Sequence, residues 1–196
     1  MKLHTLALSI LAGTTMALAQ PAFAQKAPTT TAPAESSASP AGTQKLDSSD
    51  RDFLENAAQA GHLEIEGSKL AATKAKSADV KSFAEKMIAD HGKVGQELDA
   101  LAKSKGYTPP TEPSMMQKAK LKALDVRDES FDKAYADSIG VSAHEDAVEL
   151  FTKASKEAKD ADVKAFAAKT LPALQEHLNM GKELQKKVGD ADKAKQ

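Results

Sequence analysis

No cysteine occurs anywhere in the 196-residue chain. Disulfide staples, thiolate metal sites and cysteine nucleophiles are thereby excluded, and so is a lipoprotein anchor, which needs a cysteine after its leader. The charge has no dominant sign, with 27 Lys and Arg against 28 Asp and Glu. No basic patch interrupts that mixture, so the sequence gives no basis for nucleic-acid binding. β-Branched and aromatic residues are too sparse to build sheets, with aromatics at 4% of the chain. Long apolar runs are missing as well. The one apolar stretch, Leu6 to Ala19, is shorter than the roughly 20 residues that span a bilayer.

That stretch has another use. Met1-Lys2 gives it a basic start, and Ala22-Phe23-Ala24 puts small residues at the two places a signal peptidase reads. Residues 1–24 are therefore expected to be a Sec signal peptide cleaved between Ala24 and Gln25. Its loss takes Lys2 with it and moves the formal charge from −1 to −2. The expected location is periplasmic or secreted, with no membrane span in the mature chain. Residues 25–46 are mostly Ala, Pro, Thr and Ser, with almost nothing to bury, and read as a disordered linker. Residues 189–196 read as a polar tail.

Between them, residues 47–188 carry apolar side chains at helical spacing throughout. Helix boundaries are expected at about Asp50–Ala75, with Ser49 and Asp52 as a capping box, and from the Ser77 cap to Gly106. A short helix follows over Met115–Leu124, then long helices over about Asp128–Ala158 and from the Asp160 cap to Val188. Pro172 should kink the last of these. The segment SADVKSFAEKM at 77–87 is echoed by DADVKAFAAKT at 160–170. Two hairpins joined by a connection of about 20 residues follow from that repeat, long enough to run back along a rod of about 40 Å. The predicted fold is all-α, a ferritin-like four-helix bundle with one long crossover.

Histidines sit where such a bundle should be apolar. His91 lies among Met87, Ile88, Val94 and Gly95; His144 among Gly140, Val141, Ala147 and Val148; His177 among Ala173, Leu174, Met180 and Gly181. His62 falls off its stripe, and the first helix offers Glu64 inward instead. Counted from turns at opposite ends, all four groups reach the middle of the rod. The pattern is not that of a carboxylate-bridged di-iron centre, because Ile88 and Leu174 occupy the positions three before His91 and His177. Asp90 and Glu176 adjoin those histidines but should point about 100° away.

Two readings stay open. His91, His144, His177 and Glu64 form either a mononuclear site for Zn, Fe or Mn, or a buried hydrogen-bond network that sets helix register with no cofactor. Met115 and Met116 read as core filler rather than a soft-metal site. No nucleophile with its base, phosphate loop or cofactor fingerprint is present, so the expected role is a non-enzymatic binding protein, monomeric or weakly self-associating. Its partners are not indicated.

The two blocks FLENAAQAGHLEIEGSKLAATKAKSADVKSFAEKMIADH and AHEDAVELFTKASKEAKDADVKAFAAKTLPALQEHLNMGKEL resemble the bacterial exported family known as domain of unknown function 4142. Asp90-His91, His144-Glu145 and the Leu171-Pro172…His177-Leu178 block carry the resemblance. Ser142-Ala143 stand where that family often has an acidic residue. The resemblance implies a ferritin-like fold, an exported protein of envelope or stress type, and no established activity.

Overall fold

The computed structural model of the protein describes residues 45–193. The expected signal peptide and the linker up to residue 44 lie outside the described residues. Leu46, at the linker's end, is buried in the core.

Every secondary-structure element among the described residues is helical. Helix α1 (Ser48–Lys74) pairs with α2 (Ala78–Ser104) across a turn of three residues, 75–77. Helix α3 (Met115–Asp125) lies in the long connection. Next come α4 (Phe131–Tyr135), a π-helical segment (Ala136–Ala143) and α5 (His144–Glu157), which join without a break into a third rod. Helix α6 (Ala161–Lys193) pairs with α5 and runs unbroken through Pro172, past the expected end at Val188.

The ends are set by specific side chains. At the start of α1 the cap is Asp47, whose carboxylate accepts from the Ser49 amide at 2.9 Å, and not the Ser49–Asp52 box expected from sequence. The helix begins at Ser48, two residues earlier than expected, so Ser49 already lies in the first turn, and a carboxylate at Asp47 also meets the positive helix end. Helix α2 closes as expected at Gly106, the residue with a positive φ, with Tyr107 N–H donating to the Ala102 carbonyl and Gly106 N–H to that of Lys103. Ser114 and Gln117 form a reciprocal capping box at the start of α3. Asp160 accepts from the amides of Asp162 and Val163, opening α6.

Two further carboxylates tie the rods together end to end. Asp132, at the start of the third rod, accepts from the amides of Lys76 and Ser77 in the first turn. Asp50, at the start of α1 and 1% exposed, accepts from the amides of Lys159 and Asp160 in the second turn. These four turn amides thereby find acceptors, and the two turns sit at opposite ends of α1.

The interior divides into two apolar clusters. One gathers Val80, Phe83, Met87, Phe131, Tyr135, Leu184 and Val188 near the first turn. The other holds Leu54, Leu98, Val163 and Leu174 with an aromatic knot of Phe53, Phe151 and Phe166, whose ring centroids lie 5.1–6.4 Å apart. Full burial of each such ring is worth about 1.5–3 kcal/mol. Met115 and Met116 belong to neither: they are 82% and 71% exposed, which corrects their reading as core filler. Helix α3 is peripheral, and it packs on the bundle through Leu121 and Leu124 instead. No helix among the described residues is long and apolar enough to cross a membrane.

Candidate metal centre

Between the two clusters lies a polar layer. Along α2 the lining passes from Met87 to Leu98, along the third rod from Ala143 to Ala147, along α6 from Leu174 to Leu184, and along α1 from Ala58 to Leu63. His91, His144 and His177 occupy the crossing on three of these elements, and on α1 Glu64 stands beside it, next to Leu63. All four are buried, with none more than 3% exposed.

The three imidazoles meet. Their ring centroids are 5.4 Å apart for His91–His144, 5.2 Å for His91–His177 and 5.7 Å for His144–His177. One ring nitrogen from each lies within 4.8 Å of the others. His91 Nε2 is 3.3 Å from His144 Nε2. This is convergence on a point rather than a staggered ladder of contacts.

The outer nitrogens face oxygen. His144 Nδ1–H donates to the Ile139 carbonyl at 2.8 Å, and His177 Nε2–H donates to Asp90 Oδ2 at 3.1 Å. His91 Nδ1 lies 3.0 Å from Glu64 Oε2, and Glu64 Oε1 lies 3.8 Å from His144 Nδ1. Glu64 therefore stands behind two of the rings, on their outer side. Because a carbonyl only accepts, His144 must carry its proton on Nδ1, which leaves Nε2 with a lone pair turned inward. By the same logic Asp90 leaves the inward nitrogen of His177, Nδ1, unprotonated, and that atom is buried without a hydrogen-bond partner. Two lone pairs, pinned by their partners, thus face a third ring nitrogen in a buried layer.

Electrostatics keeps the rings neutral. Burial, then the neighbouring imidazoles, lowers His91 to about 3, and burial lowers His144 to about 4 against the pull of the Ile139 carbonyl. Burial also lowers His177, with Asp90 opposing. The Lys86 ammonium, 2.8 Å away, holds Asp90 below the usual carboxylate range, so it remains a charged acceptor for His177. Burial pushes Glu64 well above that range. Neutral imidazoles are the form that binds metal, since a protonated ring has no lone pair to give.

The backbone shapes the site at two places. The π-helical segment ends at Ala143, just before His144, and the Ile139 carbonyl within it accepts from the His144 ring. There α6 comes so close that a Cβ on Gly181 would fall inside the Gly140 carbonyl. Next to His144, Phe83 stands edge-on at 6.2 Å, and Tyr135 shares a buried hydrogen bond with Ser68 at 2.8 Å.

Sequence reasoning placed all three histidines and Glu64 inward. It missed Asp90, which does point off its own stripe, as expected, but there meets His177 of α6. The signal available was Lys86, one helical turn earlier and paired to it. Glu176, also set aside, makes no hydrogen bond or ion pair to these rings among the described contacts.

Comparison with known proteins adds the following. The family described as Domain of unknown function (DUF4142) matches residues 35–184. No curated protein is a significant match to the chain. A solved DUF305 fragment from Deinococcus radiodurans is similar at 11% identity and a TM-score of 0.64, over 74% of this chain and 99% of that one. CopM in its Cu(II)-bound form is similar at 15% identity and a TM-score of 0.60, over 70% and 96%. CopM in its Cu(I)-bound form has 17% identity and the same TM-score and coverage. At such identities the likeness is one of fold alone.

Proposed function

The chain belongs to the DUF4142 family, and from that premise we propose that it is an exported, non-enzymatic protein that binds one copper ion through His91, His144 and His177. The carrying observation is the arrangement of six ring nitrogens: three face one another, and the other three each face an oxygen held by the fold. Histidine ligands of metals commonly donate their second N–H to a carboxylate or carbonyl, which fixes the tautomer and aims the ring. Here Ile139, Asp90 and Glu64 fill that role. Glu64 thus acts as a positioning group and not as a fourth ligand.

The donor set supports copper. Three neutral imidazoles with no thiolate suit either oxidation state of copper, and among divalent first-row ions imidazole sites hold Cu(II) most tightly. The fold likeness to CopM, whose solved forms carry Cu(I) and Cu(II), points the same way. A ferritin-like, one-crossover topology is part of the same proposal, since turns at opposite ends would bring the four polar groups to one depth. Periplasmic placement rests on residues 1–24.

The test is metal titration of the mature chain with Cu(II), Cu(I) and Zn(II), beside His144→Ala. The expected result is one copper per chain, nitrogen hyperfine structure in the Cu(II) electron paramagnetic resonance spectrum, and loss of that copper in the variant. No stoichiometric metal, together with a lower Tm for His144→Ala, would make the layer a structural hydrogen-bond network. Tighter binding of zinc would keep the site and change its ion.

A further inference from the structure

Among the described residues, glycines include two contrasting kinds. At Gly67 and Gly181 a Cβ would collide with Ile139 or with the Gly140 backbone, so packing demands the missing side chain. At Gly61, Gly92 and Gly95 a Cβ would meet nothing within 4 Å. Those three lie inside helices, where glycine is less favourable than alanine. Neither packing nor a special φ accounts for them.

Their positions do. All three line one cleft of about 200 Å3 between α1 and α2, and its other lining residues include Glu64 and His91. Val94 and Phe151 make its walls apolar, and Asp99 and His62 add polar groups to the lining. None of four other hollows along the described residues is lined by Glu64, His91, His144 or His177. On the far side of the layer, Gly140 and Gly181 bring the third rod and α6 into backbone contact. The cleft therefore reaches the polar layer from α1–α2, where Glu64 and His91 line it while staying buried, and the third rod and α6 close on each other at Gly140 and Gly181.

We propose that the α1–α2 cleft is the portal through which the metal reaches the three histidines, and that Gly61, Gly92 and Gly95 keep it open. The inference rests on the metal-binding reading above. All three line the cleft, so in this reading a side chain at any of them should narrow it. His62 and Asp99 offer an arriving cation its first donors. Glu64 and His91, the members of the layer that line the cleft, are the first to meet it. The sealed seam holds the other two rings in place.

The experiment is stopped-flow uptake of copper(II) chloride by the mature chain, followed by d–d absorption, for the wild type, Gly61→Leu/Gly95→Leu and Gly61→Ala/Gly95→Ala. The leucine pair should take up copper at least tenfold more slowly yet reach the same stoichiometry and final spectrum. The alanine pair should fold with a raised Tm and slow uptake about two- to threefold. It decides the matter if the leucine pair does not fold. An unchanged rate in folded variants that still bind one copper overturns the portal and leaves the site standing. A wild type that takes up no copper overturns both.

Discussion

The two seams on either side of the histidine layer use the same residue for opposite ends. Between α1 and α2, Gly61, Gly92 and Gly95 leave space. Between the third rod and α6, Gly140 and Gly181 remove it. The polar groups differ accordingly. Glu64 and His91 line a cleft, whereas His144 is locked between the π-helical segment, Phe83 and its neighbouring rings. A rigid wall facing an open one is how a buried site is held in shape and still reached. Precision is needed where ligands are aimed, and looseness is tolerated where something must pass.

The largest expected effect comes from forcing the closed seam apart. Gly181→Ala places a methyl group against the Gly140 backbone, which cannot rotate away as a side chain could. The helices must separate, and the cost should be roughly 3 kcal/mol or more, a fall in Tm of roughly 6–12 °C. Gly140→Ala is the matched control. Its Cβ would sit 3.5 Å from Gly181 Cα, an ordinary contact, so the change should stay within about 1 kcal/mol. Equal effects from the two variants, measured by thermal denaturation, would show that the seam is not sealed in this way.

A second, smaller effect concerns aim rather than packing. Asp90→Asn keeps an acceptor near His177 but loses the carboxylate charge and its pairing with Lys86. Copper affinity, measured by chelator competition, should fall about 10- to 100-fold with the fold intact. No change would mean that His177 needs no help from outside the layer.

Protons give a third comparison between the seams. In the metal-free protein His91 and His144, at about 3 and 4, refuse protons that the unfolded chain accepts near 6.5. Their contribution to stability is present above that value and is lost as pH falls towards 4. Glu64 has the opposite sign. Its raised value means the native state keeps a proton that the unfolded chain sheds near 4.5, so this contribution is lost as pH rises. Across pH 5–6 the two partly cancel. Glu64→Gln should remove the opposing part and steepen the rise of stability with pH by about one proton, on the order of 1 kcal/mol per pH unit. Urea denaturation at pH 5 and 6 reads it directly, and identical slopes would place Glu64 outside the coupled layer.

Much of this could be read before the fold was seen, for definite reasons. His91, His144 and His177 each sit in a small or apolar niche one turn wide, so helical periodicity alone aims them inward. Short turns at opposite ends then set their depth. Roles depending on neighbours were less legible. Glu64 was rightly inward, but whether it is a ligand or a support depends on which ring nitrogens it faces, and periodicity says nothing of that. Asp90 looks solvent-directed on an isolated α2 and gains its partner only once α6 is beside it. The π-helical segment has no composition that marks it, because the extra residue per turn is a property of backbone and packing together. Met115 and Met116 were misjudged because hydrophobicity does not report that α3 is peripheral, with only its Leu124 fully buried.

The smallest effect is the one that separates packing from passage most cleanly. In a helix interior glycine is about 0.5–1 kcal/mol less favourable than alanine, because it gives up more backbone freedom on folding. At Gly95 no neighbour stands within 4 Å of a new Cβ, so nothing offsets the gain. Gly95→Ala should therefore stabilise the protein by up to about 1 kcal/mol, the reverse of Gly181→Ala. If the open seam existed only by default, that substitution would be improvement without loss. If the seam is a portal, the same methyl group narrows it, and copper uptake slows while Tm rises. Stability and uptake moving in opposite directions in one variant is a signature that a purely structural glycine cannot produce.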